Sequence, residues 1–179
     1  MQNDTRGTQP YFDMELFLAT AETTRLDGTT LDMCLERWRT WSNWLQIRTV
    51  TVNGGTFLAA WLEEDVEREV DAAWNTSPSE GFILNALAQT LCMCLVHERI
   101  PEIEEAGCAP LPRPSVALVE ALVDAGLPAA ADAALRFGRK YAVVTPAPFG
   151  GGCEICALQE TCPRSGANGD AAFTLPGHE

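Results

Sequence analysis

The chain has 179 residues, of which 46% are hydrophobic, so it is long enough for one hydrophobic core and too short for two comfortable domains. Its 12 basic residues against 25 acidic ones give a net charge of -13, which excludes unaided binding to nucleic acid because phosphate contacts need Lys and Arg. The first residues show neither a basic nor an apolar segment, and no apolar stretch reaches the length of a membrane span. We therefore expect a soluble, acidic, cytoplasmic protein.

The first third of the chain carries signals for two helices and one strand. Residues 10 to 24 and 29 to 46 are predicted to be helical. Residues 47 to 52 read IRTVTV and are rich in alternating β-branched side chains, which predicts a short strand before the turn at residues 53 to 55. The expected partner of this strand is the segment YAVVT, residues 141 to 145.

Helices dominate the prediction for the rest of the chain. A helix is predicted from Thr56 to Trp74, because apolar residues recur at every fourth position. Ser77 and Pro78 cap a longer helix that ends near Arg99, and its apolar residues surround it as in the central helix of a bundle. A short turn closed by Gly107 precedes two further helices, at residues 115 to 125 and 128 to 140.

These elements predict a mainly α protein, a single-domain bundle of six or seven helices that leaves room for one short two-stranded ribbon. The helical domain is expected to occupy residues 1 to 148. A cysteine-rich loop at residues 149 to 164 is expected to pack on it, and residues 165 to 179 are expected to form a flexible tail.

Seven cysteines in a cytoplasmic chain favour metal binding, redox chemistry or simple burial over a disulfide framework. Three of them follow the pattern Cys153-x2-Cys156-x5-Cys162, directly after three glycines. Iron-sulfur clusters are held by four thiolates, and glycine allows the backbone to approach sulfur closely. The pattern therefore predicts a loop that supplies three of the four ligands.

The stretch CEICALQETCP resembles the loop that ends the DNA glycosylases of the endonuclease III and adenine-glycosylase type. In those helix-hairpin-helix enzymes, Cys-x6-Cys-x2-Cys-x5-Cys surrounds a [4Fe-4S] cluster. The resemblance implies a ligand role for Cys153, Cys156 and Cys162. It does not imply the glycosylase activity, because Pro146 stands where the first cysteine is expected and the hairpin with its catalytic lysine is missing.

The fourth ligand has to come from elsewhere in the chain. Cys108 is the best candidate because its Pro- and Gly-rich loop is free to turn toward the cluster. Cys34, Cys92 and Cys94 lie in predicted helices and are expected to be core residues, while His97 is a further alternative. We expect a [4Fe-4S] cluster, with structural zinc or a metal-free thiol pair as alternatives. The predicted ligands are Cys108, Cys153, Cys156 and Cys162.

The predicted function is that of an iron-sulfur binding protein whose cluster is structural, redox-sensing or electron-transferring, and which acts through a protein partner. The sequence shows no inward Glu-x-x-His pairs, no phosphate-binding loop and no catalytic triad, so no catalytic residues are assigned and an enzymatic role is not expected. One alternative is an accessory subunit of a nucleic-acid-processing enzyme, which would need a basic partner chain. The other is a zinc-stabilised helical adaptor or assembly chaperone.

Overall fold

The computed structural model describes residues 9 to 130 and 137 to 162. Within these two ranges the chain forms six α-helices: α1 (Met14–Thr20), α2 (Gly28–Ser42), α3 (Glu64–Thr76), α4 (Pro78–Arg99), α5 (Glu102–Ala106) and α6 (Val116–Asp124). It also forms three strands, β1 (Leu45–Val52), β2 (Gly55–Leu62) and β3 (Ala142–Pro146). The strands make one antiparallel sheet in the order β1-β2-β3, with β2 in the middle.

The helix boundaries that the sequence marks with capping residues are confirmed. α4 begins after Ser77, whose hydroxyl accepts a hydrogen bond from the Glu80 backbone at 3.4 Å. α5 ends at Gly107, which has a left-handed φ of 71°. α6 begins after Ser115, whose hydroxyl accepts from the Leu118 backbone at 3.2 Å. Short-range cap chemistry is therefore enough to place these ends.

The predicted mainly α class is wrong, because the protein combines helices with a three-stranded sheet. Residues 56 to 62, predicted as the first part of a helix, belong to the central strand β2, and α3 begins only at Glu64. β1 and β2 form a hairpin whose turn residues, Asn53 and Gly54, have φ values of 53° and 81°. The predicted strand at residues 141 to 145 exists as β3, but it pairs with β2 and not with β1.

β2 resembles a helix in sequence because both of its faces are buried. Leu58, Ala60 and Leu62 belong to the large core beneath α4. Ala59 and Trp61, on the opposite face, belong to a smaller core beneath α6. A strand covered on both faces loses its polar-apolar alternation, so its apolar run cannot be told from a buried helical segment by periodicity. The apolar positions Leu58 and Leu62 happen to satisfy both patterns.

α4 forms the centre of the large core. By length and composition it is long and apolar enough to cross a membrane, and no other helix in the described ranges meets that test. Most of its apolar window is buried inside the protein, against α1, α2, α3 and the sheet. A helix in the core of a protein passes the same test of length and composition and shows this burial.

Tyr141 joins α4 to the sheet at the start of β3. Its buried side chain donates a hydrogen bond from the hydroxyl to Asn85 Oδ1 at 3.0 Å. Its carbonyl oxygen accepts from the Leu62 backbone at 3.0 Å and from the Cys92 thiol at 3.6 Å. The position of β3 relative to α4 is therefore fixed before the chain enters the cysteine loop.

Two further expectations fall partly or wholly outside the described residues. The predicted helix at residues 128 to 140 includes residues 131 to 136, which are not described, and on either side of them Ala129 and Phe137 pair as an antiparallel bridge. The predicted tail at residues 165 to 179 lies entirely outside the described part of the chain.

Gly81 lies where α3 and α4 pack closest. A Cβ atom there would lie 2.6 to 2.8 Å from atoms of Trp74. We expect Gly81→Ala to lower the free energy of unfolding by about 1 to 3 kcal/mol, because overpacking outweighs the better helix propensity of alanine. Urea unfolding followed by circular dichroism measures the effect.

The matched control is Gly28→Ala at the start of α2, where no atom lies within 4 Å of the added Cβ. Its effect should stay within about 0.5 kcal/mol. Equal losses for the two variants would contradict the close approach of α3 and α4.

Candidate metal centre

The loop that carries Cys153, Cys156 and Cys162 is a succession of tight turns. A single 3-10 turn covers Cys153–Ile155, and the Cys156 backbone donates to the Cys153 carbonyl at 3.2 Å. The Gln159 backbone donates to the Cys156 carbonyl at 3.2 Å, and the Cys162 backbone donates to the Leu158 carbonyl at 2.8 Å. The short spacings of the motif therefore correspond to turns that keep the three cysteines near one another.

Glu154 organises the glycine-rich entrance of this loop. Its Oε1 accepts a hydrogen bond from the Gly152 backbone at 2.9 Å. Gly151 has a φ of 135°, and a Cβ at Gly151 would collide with Glu154 Oε1. Hydrogen bonds from the backbone of Glu154 itself and from Gly152 lower the pKa of the Glu154 carboxyl, so it is ionised at neutral pH. This role was not predicted, since its only sequence signal is a carboxylate next to three glycines.

Cys108 reaches the same region from a different part of the chain. α5 ends at Gly107, and the left-handed turn there leads directly to Cys108, which is exposed. Three residues later the Leu111 carbonyl accepts a hydrogen bond from the Ala157 backbone at 2.8 Å. This backbone contact ties the segment that holds Cys108 to the cysteine loop.

The four cysteines predicted as ligands line a single cavity of about 30 Å³. Cys108 and Cys153 are exposed, and Cys156 and Cys162 are half-buried. The remaining lining is small or uncharged, namely Ala106, Pro110, Gly152 and Gln159. Among the described residues, no three His, Cys, Asp or Glu side chains form a group that could hold a metal ion as they stand. The fold thus gathers the four thiols around one cavity, and their ligand role stays a prediction.

The other three cysteines lie in the core, as expected. Cys34, Cys92 and Cys94 are between 0% and 4% exposed. Burial raises the pKa of Cys34 and Cys94 to about 11 and that of Cys92 to about 12. These thiols are therefore protonated at neutral pH, whereas metal ligation requires the thiolate.

His97, the remaining alternative ligand, does not line the cysteine cavity. Its ring is half-buried near the end of α4, and its Nε2 has no hydrogen-bond partner among the described residues. Burial lowers the pKa of His97, although the carboxylates of Glu104 and Asp13 oppose that effect. The imidazole is therefore neutral at pH 7, and its position outside the cavity separates it from the four cysteines.

Comparison with protein-family models, curated proteins and solved structures finds no match to this chain. No relative therefore bears on the resemblance of the cysteine loop to the DNA glycosylases. The function has to be inferred from the geometry and chemistry of the residues themselves.

Thiol alkylation tests the division of the seven cysteines into two classes. With iodoacetamide at neutral pH, the folded metal-free protein should be modified rapidly at the four cavity cysteines and should be protected at Cys34, Cys92 and Cys94, since these are buried and protonated. Peptide mapping by mass spectrometry, with a guanidinium-unfolded sample as the control for full reactivity, measures both groups. Rapid labelling of a core cysteine in the folded protein would contradict the assignment.

Proposed function

We propose that this protein binds a [4Fe-4S] cluster and exchanges electrons, or senses redox state, through a protein partner. The ligands are Cys108, Cys153, Cys156 and Cys162. The observation that carries the proposal is that these four thiols, drawn from two segments 45 positions apart, line one cavity while the other three cysteines are buried in the core.

The donor set suits iron in a cluster. Thiolates are soft ligands that select iron-sulfur clusters or zinc, and four of them are the usual complement of a cubane cluster. A cluster offers a separate iron atom to each thiolate, so its ligands do not have to converge on a single point. When bound, it supplies one-electron redox chemistry, and the chain supplies the thiolates and a fixed loop.

The position of the cavity at the surface favours a redox role over a purely structural one. Since Cys108 and Cys153 are exposed, two of the ligands lie where a partner protein can approach. A cluster that only stabilises the fold gains nothing from this exposure. Reversible reduction without loss of secondary structure would support the redox role, and unfolding on reduction would support a structural one.

The surroundings of the cavity are acidic. The two segments at residues 102 to 111 and 153 to 162 contain no Lys or Arg, and each of their carboxylates is exposed: Glu102, Glu104, Glu105, Glu154 and Glu160. Negative charge disfavours the addition of an electron to an already anionic site, so it lowers the reduction potential. It also favours a partner with a basic surface.

This charge gives no support to the nucleic-acid alternative, because phosphates would face carboxylates at the cysteine cavity. An accessory role in nucleic-acid processing would place the basic surface entirely on the partner. In the redox role the carboxylates act directly, because they attract the basic surface of the protein partner.

Metal analysis of anaerobically purified protein tests the proposal. We expect a brown protein with about four iron and four sulfide per chain. Cys108→Ser, and Ser at each of the three loop cysteines, should lower the iron content and the visible absorbance. The control Cys34→Ala, at a buried site outside the cavity, should retain both. A protein that contains one zinc and no iron would show that the site holds structural zinc and not a cluster. A protein without metal would refute the proposal.

Charge variants test the redox role. Replacing Glu104 and Glu105 by Gln should raise the midpoint potential of the cluster, because two carboxylates beside Cys108 are neutralised. Glu36→Gln, at an exposed site on α2, is the control and should leave the potential nearly unchanged. Spectroelectrochemical titration measures both potentials, and a cluster that cannot be reduced within the solvent window would contradict electron transfer.

A further inference from the structure

A second and much larger cavity lies beside the cysteine site. This cleft measures about 520 Å³ and is bounded by the end of α1, the middle of α4, the loop after α5 and β3. Cys108 belongs to the lining of both the cleft and the small cysteine cavity. The volume of the cleft falls within the range of about 300 to 1,000 Å³ that is typical of small-molecule sites.

The floor of the cleft is apolar. It is formed by four half-buried side chains that pack on the edge of the core, namely Leu16, Met93, Ala109 and Val143, and by the half-buried Leu111. An apolar surface of this kind favours the alkyl or aryl part of a small molecule, since binding removes both surfaces from water.

The polar residues of the lining are Thr20, Glu22 and Gln89, and the side-chain oxygens of Thr20 and Glu22 favour a ligand that donates hydrogen bonds. Thr20 Oγ1 already donates to the Leu16 carbonyl at 2.8 Å, so its oxygen is left to accept. The Glu22 carboxylate makes no ion pair or hydrogen bond with the residues that the structure describes. Among the described residues it is the single charged side chain of the cleft lining, and the net charge of -13 adds a long-range attraction for cations.

The backbone of Glu22 ends α1 in a conformation that is unfavourable for a residue with a side chain. Glu22 has a left-handed φ of 47° where α1 ends, a position that glycine or asparagine normally takes. The turn is closed by the Glu22 backbone donating to the Ala19 carbonyl at 3.2 Å and by the Thr23 backbone donating to the Leu18 carbonyl at 3.0 Å. Glycine would adopt this conformation more easily than glutamate, so the strain and the carboxylate of Glu22 can be tested separately.

We infer that the cleft binds a small amphipathic cation, a primary amine with a short apolar body. The ammonium group pairs with Glu22 and donates to Thr20, and the apolar body lies on Met93 and Val143. Cys108 lies in the same lining, so the occupant is a neighbour of the cysteine site. Binding does not require the cluster, whereas any effect on the cluster rests on the proposed function.

Methyl NMR of the full chain labelled at methionine Cε tests the binding directly. The probes are hexylammonium, hexanol and hexanoate, which share one alkyl chain and differ in charge. Hexylammonium should shift the Met93 signal in a saturable way and leave Met33 of α2 unchanged, while hexanoate should bind about tenfold more weakly or not at all. Met93→Leu assigns the signal. A Met93 shift that never saturates, or a preference for hexanoate, would overturn the inference.

Three variants test separately the Glu22 carboxylate, the left-handed backbone of Glu22 and the open volume of the cleft. Glu22→Gln should weaken hexylammonium binding about tenfold without weakening hexanol, whereas Glu15→Gln on the same helix should change neither. Glu22→Gly should weaken the binding of the cation and raise the melting temperature, because glycine relieves the left-handed strain. Ala19→Trp should fill the cleft and abolish the Met93 shift for both probes, and Ala72→Trp on α3 is its exposed control.

The lifetime of the cluster in air provides the second readout. Saturating hexylammonium should slow the loss of visible absorbance in the wild-type protein and have no effect in Glu22→Gln. An unchanged lifetime, together with a saturable Met93 shift, would overturn the coupling to the cluster and leave the binding site supported. Iron-free protein that still shows the Met93 shift would refute the proposed function and support the cleft.

Discussion

The burial of β2 on both of its faces is the constraint on which the rest of the structure depends. Its backbone pairs with β1 on one edge and with β3 on the other, so both sets of peptide groups are satisfied within the sheet. One face packs beneath α4 and the other beneath α6. Both cysteine segments extend from this frame: β3 continues into the cysteine loop, and α4 continues through α5 to Cys108. The separation of the two segments is therefore set by how α4 lies on the sheet.

The cysteine site combines a buried support with exposed loops. Tyr141 fixes the start of β3 with bonds to Asn85 and Leu62, and its burial is nearly complete. Beyond β3, the Ala157-to-Leu111 backbone bond joins the two segments that carry the thiols. Metal binding to such a site would also order the loops that carry its ligands. The cost of ordering the loops would lower the affinity for the metal, and the bound metal would in turn stabilise the loops.

Charge is distributed unevenly over the molecule. Described ion pairs concentrate on α3, where Arg37, Arg68, Arg139 and Lys140 face its carboxylates. At the surface such pairs add little stability, but they neutralise one acidic face and connect α3 to neighbouring segments. The two cysteine-bearing segments, residues 102 to 111 and 153 to 162, contain five carboxylates and no basic residue, so they carry part of the excess negative charge of the chain. The same excess favours a cation at Glu22.

The sequence by itself determined the features that are encoded within a few residues. Ser77 and Pro78, Gly107 and Ser115 placed helix ends, Asn53 and Gly54 placed a turn, and the spacing of three cysteines marked the loop. The Pro- and Gly-rich loop around Cys108 singled out that residue as the fourth ligand, a role that stays a prediction. Only the tertiary structure decided that β2 is a strand, since its two-sided burial by α4 and α6 erased the alternation that identifies one. It alone also decided the cleft beside Cys108, because that surface is assembled from four elements that no local pattern connects.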